Sequence, residues 1–224
     1  RMFIAKKDTA EETGWHTREI EFRGPNARLF NDRRYSTGHP ALTKDQKYLY
    51  FSSDVPVGEG NSDLYVAKFN LDSAICYDIT NLGPVNSEGN DLFPSIYIEP
   101  ENGREILLFS SNRTGPDAVG GLDIYFSEKL RGYASFSTPQ NFQVRTWGKD
   151  DCNGCINSEK DDFGLYMNPR ATAGFFASDR KGTDDIYRFR IVKLQVTVVD
   201  SLNPEIIIPC AEVKLRGADG EILQ

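Results

Sequence analysis

The sequence predicts an all-β protein built as a β-propeller, and three observations carry that expectation. A phrase recurs: "FSSDVPVGEGNSDLYVAKF" from Phe51, "FSSNRTGPDAVGGLDIYFSEK" from Phe109 and "FASDRKGTDDIYRFR" from Phe176. Within each copy Tyr, Phe, Ile, Leu and Val alternate with polar residues at period two, between clusters of Gly, Pro, Asn and Asp, as half-buried strands require. No dozen-residue stretch has helical periodicity. Phe51, Phe109 and Phe176 stand 58 and 67 residues apart. Self-similarity at that scale, with several short strands per unit, marks small sheets that stack on their neighbours around an axis.

Taken in order, each module opens with a strand marked by glycine or proline: "GHPALT" from Gly38, "LFPSIYI" from Leu92 and "DFGLYMN" from Asp162. An aromatic-rich strand follows ("KYLYFSS", "EILLFSS", "AGFFASD"), then a polar turn and a third strand ("SDLYVAKF", "LDIYFSEK", "DDIYRFRI"). The aromatic is expected to pack between sheets, and the small serines to let the chain lie close to a crowded axis. Residues beyond a blade period of about 40–50 are assigned to outer loops such as "NLDSAICYDITN" and "RTWGKDDCNGC". "MFIAKK" fits "LYVAKF" position for position, so the chain is expected to hold three full blades and part of another, a portion of a larger ring. Asp63, Asp123 and Asp185 stand where the turn becomes the third strand. A carboxylate there can accept backbone N–H groups and clasp the hairpin. Its recurrence in every copy fits a clasp rather than a catalytic acid.

After Arg190 the signature stops. "IVKLQVTVVDSLNPEIIIPCAEVKLRGADGEIL" reads as strand, turn at Asn203-Pro204, strand, and turn at Asp219-Gly220. The expected domains are therefore 1–190, a propeller incomplete at its N-terminal side, and 191–224, the truncated start of a small β-sandwich.

The 224 residues carry 26 Lys and Arg against 33 Asp and Glu, for a net charge of −7. Nucleic acid is excluded as a partner, because phosphate binding needs a concentrated basic surface. No run reaches the roughly 18 apolar residues of a membrane span, and no apolar signal segment opens the chain. Of four cysteines, Cys152 and Cys155 form one C-x-x-C in "DDCNGCINSE". A local structural disulfide in an exposed loop is the leading reading, beside free thiols and metal or redox chemistry. A zinc site would need further ligands, and His16 and His39 are isolated. No cofactor, metal or catalytic residue is expected. There is no G-x-S-x-G elbow. The pairs Asp150-Asp151, Asp161-Asp162 and Asp184-Asp185 are adjacent, and on a strand such neighbours point to opposite faces.

The phrases "HPALTKDQKYLYFSSD…SDLYVAK", "NLGPVNSEGNDLFPSIY" and "FFASDRKGTDDIYRF" resemble the TolB-type, WD40-like propeller repeats of Bacteroidetes OmpA-family envelope proteins. The tail "QVTVVDSLNPEIIIPCAEVKL" is similar to the start of carboxypeptidase-regulatory-like domains. That order is similar to PorE-type components of the type IX secretion system. The resemblance implies a five-bladed ring, a periplasmic and outer-membrane-associated location, and partners among envelope or secretion-system proteins. It implies peptidoglycan contact only through a domain these residues do not contain. The function expected from it is a non-enzymatic interaction scaffold linking secretion machinery to the envelope. The alternatives are a ligand- or calcium-binding propeller, or a propeller glycosidase.

Overall fold

A computed structural model describes residues 1–7, 14–130, 135–142, 155–191, 197–203, 205, 215–216 and 222–223. The chain is all-β and propeller-like. Strands β1 (Phe3–Lys7) and β2 (Trp15–Glu19) form a hairpin. Strand β3 (Glu21–Phe22) and a five-residue helix α1 (Ala27–Asn31) lead into the first large sheet. Its further strands are β4 (Thr37–Leu42), β5 (Tyr48–Ser53), β6 (Asp63–Asn70) and β7 (Ile75–Asn81), in the order β3-β7-β6-β5-β4. The second sheet holds β8 (Asp91–Ile98), β9 (Glu105–Ser111), β10 (Asp123–Glu128) and β11 (Gln140–Asn141), and the third β12 (Asp162–Met167), β13 (Ala173–Ser178) and β14 (Asp185–Arg190). A two-stranded ladder, β15 (Leu215–Arg216) with β16 (Ile222–Leu223), is what the structure describes of the expected sandwich.

The three sheets stack face to face, with their first strands β4, β8 and β12 side by side. Three apolar clusters fill the spaces. Met2, Ile20, Phe22, Phe30, Phe51 and Val55 pack on the outer face of the first sheet. Tyr50, Leu64, Val85, Leu107 and Phe109 join it to the second, and Leu108, Ile124, Ile156, Leu165 and Phe176 join the second to the third. Hence β5 and β9 are buried on both faces, whereas burial on β13 alternates. Each repeated Phe stacks on the Tyr of the third strand: Phe51 on Tyr65, Phe109 on Tyr125 and Phe176 on Tyr187, with centroids 5.6–6.1 Å apart.

Two expectations change here. "NLDSAICYDITN" is no outer loop: Ile75–Asn81 is a fourth strand, antiparallel to β6, while residues 143–154 of the second supposed loop lie outside the described residues. The serines after the aromatic are also not on the innermost strand. Ser53, Ser111 and Ser178 sit one strand outward, opposite Thr37, Asp91 and Asp162.

Candidate functional site

The repeated aspartates are built by the hairpin turn before them. Asp63, 1% exposed, accepts the N–H groups of Glu59 and Gly60 and the Asn81 amide. Asp123, equally buried, accepts the Val119 N–H at 2.6 Å and the Asn141 amide at 3.3 Å. Burial raises the Asp123 carboxyl above the ordinary range, against the N–H groups that favour its charge. Asp185 differs. It is exposed and its carboxylate has no hydrogen bond among the described residues, because its turn is shorter and no fourth strand among the described residues brings an asparagine to it. The clasp geometry exists at two of the three positions.

A second set of carboxylates lies at the first strands, and sequence named only one of them, Asp162, as a member of an adjacent acidic pair. Asp91 and Asp162 are fully buried at the first residue of their strands. Arg113 Nη2 donates to Asp91 Oδ1 at 2.7 Å and to the Val85 carbonyl at 2.7 Å. Arg180 repeats this with Asp162 and the carbonyls of Cys155 and Ile156. The other oxygen accepts the N–H and hydroxyl of Ser87 or of Ser158. Each guanidinium also lies over its stacked aromatic pair, 4.8–5.1 Å from the ring centroids. One residue before each serine, an asparagine amide spans to the preceding sheet. Asn86 accepts the Leu64 N–H and donates to the Leu64 carbonyl, and Asn157 does the same at Ile124. The signal was present in "NSEGND" and "NSEKDD", each coupled to a later "SNR" or "SDR".

The cysteines depart from expectation in one respect. Cys155 is disulfide-bonded but 5% exposed, so it is not on an exposed loop; the Arg180 guanidinium holds its carbonyl. Cys152 lies outside the described residues. Cys76 is a free, buried thiol that burial pushes up to about 12. Among the described residues no three His, Cys, Asp or Glu side chains converge as a metal site.

One accessible cleft lies where β4, β8 and β12 meet. Each strand carries a bulge at the same place: between Gly38 and Ala41, between Leu92 and Ser95, and between Phe163 and Tyr166. The residue it displaces is left-handed in every case: His39 at φ 50°, Phe93 at 52° and Gly164 at 64°. Glycine adopts this freely, whereas an aromatic side chain there is an outlier that the surroundings must hold in place. His39 stacks on Phe93 at 3.8 Å, and Phe93 meets Phe163 at 5.0 Å. His39 Nδ1 is 2.7 Å from Ser52 Oγ, and burial lowers the imidazole's pKa. The cleft, about 160 Å³, is lined by His39, Pro40, Phe93, Pro94, Ser95, Gly164, Leu165 and Tyr166. None of these side chains is an acid or a permanent cation.

No protein-family model matches the chain, and no curated protein does. Solved structures do. An endo-arabinase from Bacteroides thetaiotaomicron is 13% identical with a TM-score of 0.47, over 73% of this chain and 58% of its own. A prolyl endopeptidase is 14% identical with a TM-score of 0.32, over 70% and 20%, and a Hadza microbial sialidase 9% identical with a TM-score of 0.35, over 69% and 44%. The chain thus spans less than two thirds of each. These neighbours correct two expectations. All three are enzymes and none is a secretion component, so the non-enzymatic secretion scaffold and the expectation of no enzyme are both withdrawn. At such identities and scores the likeness goes no further than the fold: this chain is similar to propeller-bearing proteins.

Proposed function

We propose that the chain is a ligand-binding propeller whose axial cleft takes a neutral, ring-bearing ligand, a saccharide unit being the class it fits best. The observation that supports this reading is the set of three equivalent bulges. Two of them hold His39 and Phe93 in left-handed backbone, at a cost of about 1–3 kcal/mol each, beside a partly apolar cleft. Strain of that kind concentrates where a side chain must be aimed. Aromatic faces suit the C–H faces of a sugar ring, and Ser95, Tyr166 and the His39 imidazole offer hydrogen bonds to its hydroxyls. Cleavage of a glycosidic bond needs two carboxyl groups roughly 5–10 Å apart. The lining residues supply neither, so turnover would draw on carboxylates beyond the lining.

Calorimetric titration with neutral oligosaccharides tests the reading, run beside turnover of chromogenic glycosides. The unaltered chain should bind at least one oligosaccharide, and Phe93→Asn, which keeps a left-handed backbone comfortable, should weaken it about tenfold or more. Absence of binding across the panel, or equal binding by Phe93→Asn, would sink the proposal. Turnover lost in Phe93→Asn would extend it to a hydrolase.

We further propose that the three sheets are consecutive blades of a five-bladed TolB-type ring, and that residues 191–224 open a regulatory-like sandwich. The repeated junctions and the β15–β16 ladder support this. A periplasmic location is part of the same reading, supported by the disulfide at Cys155, since oxidising compartments preserve such bonds.

A further inference from the structure

Among the described residues the third sheet lacks a cover that the other two possess. At equivalent positions, Tyr50 and Leu64 are 3% and 0% exposed and Leu108 and Ile124 both 0%, whereas Phe175 is 48% and Ile186 80% exposed. The first two pairs are covered by the same thing, the entry segment and strands of the following module. In each case an asparagine five residues ahead of the inner strand closes on the backbone of Leu64 or Ile124. Ile186 stands opposite Ala177 as Leu64 stands opposite Ser52 and Ile124 opposite Ser110. At that register its N–H and C=O point away from β13, and no described residue bonds to them.

We infer that the Phe175–Ile186 face docks a segment of the form apolar-Asn-Ser-x-x-x-Asp, of the kind that residues 85–91 and 156–162 supply to the first two sheets. The occupant follows from continuity with two interfaces already built this way. A second copy of the chain fits poorly. Its Asn86 and Asn157 are engaged internally, and five residues ahead of its own β4 it has Asp32, hydrogen-bonded to Arg34. An ionised carboxylate cannot donate to the Ile186 carbonyl as an amide does.

The probe is a synthetic peptide of residues 83–98, the segment that covers the equivalent face of the first sheet, titrated into the full chain with amide resonances observed. Binding should shift Ile186 and its neighbours on β13 and β14, and slow exchange of the Ile186 amide. The Asn86→Ala peptide should bind about tenfold more weakly or worse, and the chain variant Ile186→Asp should lose the peptide. No binding, shifts elsewhere, or equal binding by the Asn86→Ala peptide would each overturn the inference. So would sedimentation showing a dimer that Ile186→Asp dissolves, because the occupant would then be a second copy.

Discussion

The first sheet and the two that follow solve one packing problem in two ways. In the second and third, the stacked Phe–Tyr pair lies beneath a guanidinium held by a buried carboxylate: Arg113 with Asp91, and Arg180 with Asp162. In the first sheet Val55 stands at the arginine's position and Thr37 at the aspartate's, both buried. There the cover is Phe30, edge-on to Phe51 at 5.8 Å and to Tyr65 at 5.1 Å. The aromatic pair needs a lid, and an ion pair or an apolar cluster can serve. The two changes occur together, as expected if either partner alone is costly inside the protein.

That comparison breaks most sharply at Asp91. Asp91→Ala should strand the Arg113 guanidinium and lower stability by about 3–5 kcal/mol, read from urea unfolding. The double change Asp91→Thr with Arg113→Val, which transplants the first sheet's solution, should recover at least about half of that loss. A double variant no better than the single one would mean that the two lids are not interchangeable.

A smaller effect separates the clasps. Asp63→Ala takes the acceptor from the half-buried turn N–H groups of Glu59 and Gly60 and from the Asn81 amide and should cost about 1–3 kcal/mol, while Asp185→Ala should leave the unfolding midpoint where it was. Equal losses at both positions would erase the distinction between clasped and unclasped hairpins.

The smallest effect concerns pH. Because burial raises the Asp123 carboxyl in the folded state, its contribution is full below the ordinary carboxylate range of about 4 and is lost as pH rises through the raised value. The stability of the chain relative to Asp123→Asn should therefore fall between pH 4 and pH 7. A rise over that interval would contradict a carboxyl held up by burial.

The stacking of each repeated Phe on the Tyr of the next strand was not read, since it depends on the register between strands. Strands were legible because period-two alternation reports local geometry. Asp63 and Asp123 were legible for the same reason, since the turn that binds each lies within four residues of it. Asp185 misled because a clasp also depends on the neighbouring strand, which its motif does not encode. The Arg113–Asp91 pair spans 22 residues, and only the joint presence of both in two modules, with both missing from the first, could have disclosed it. His39 escaped for another reason. Histidine, phenylalanine and glycine share one bulge, and similarity of residue type cannot reveal a shared backbone.

That shared backbone bears on how the cleft would read an object. A repeating frame alone cannot tell one rotational setting of a bound molecule from another, since each step about the axis meets the same groups. Here the frame repeats but the three displaced residues do not: an imidazole, a phenyl ring and a bare hydrogen follow in succession around the opening. The symmetry is broken where contact would be made and kept where the fold is held together. A guest could therefore seat in one rotational setting, and altering one of these positions would change that setting while leaving the rest of the architecture untouched.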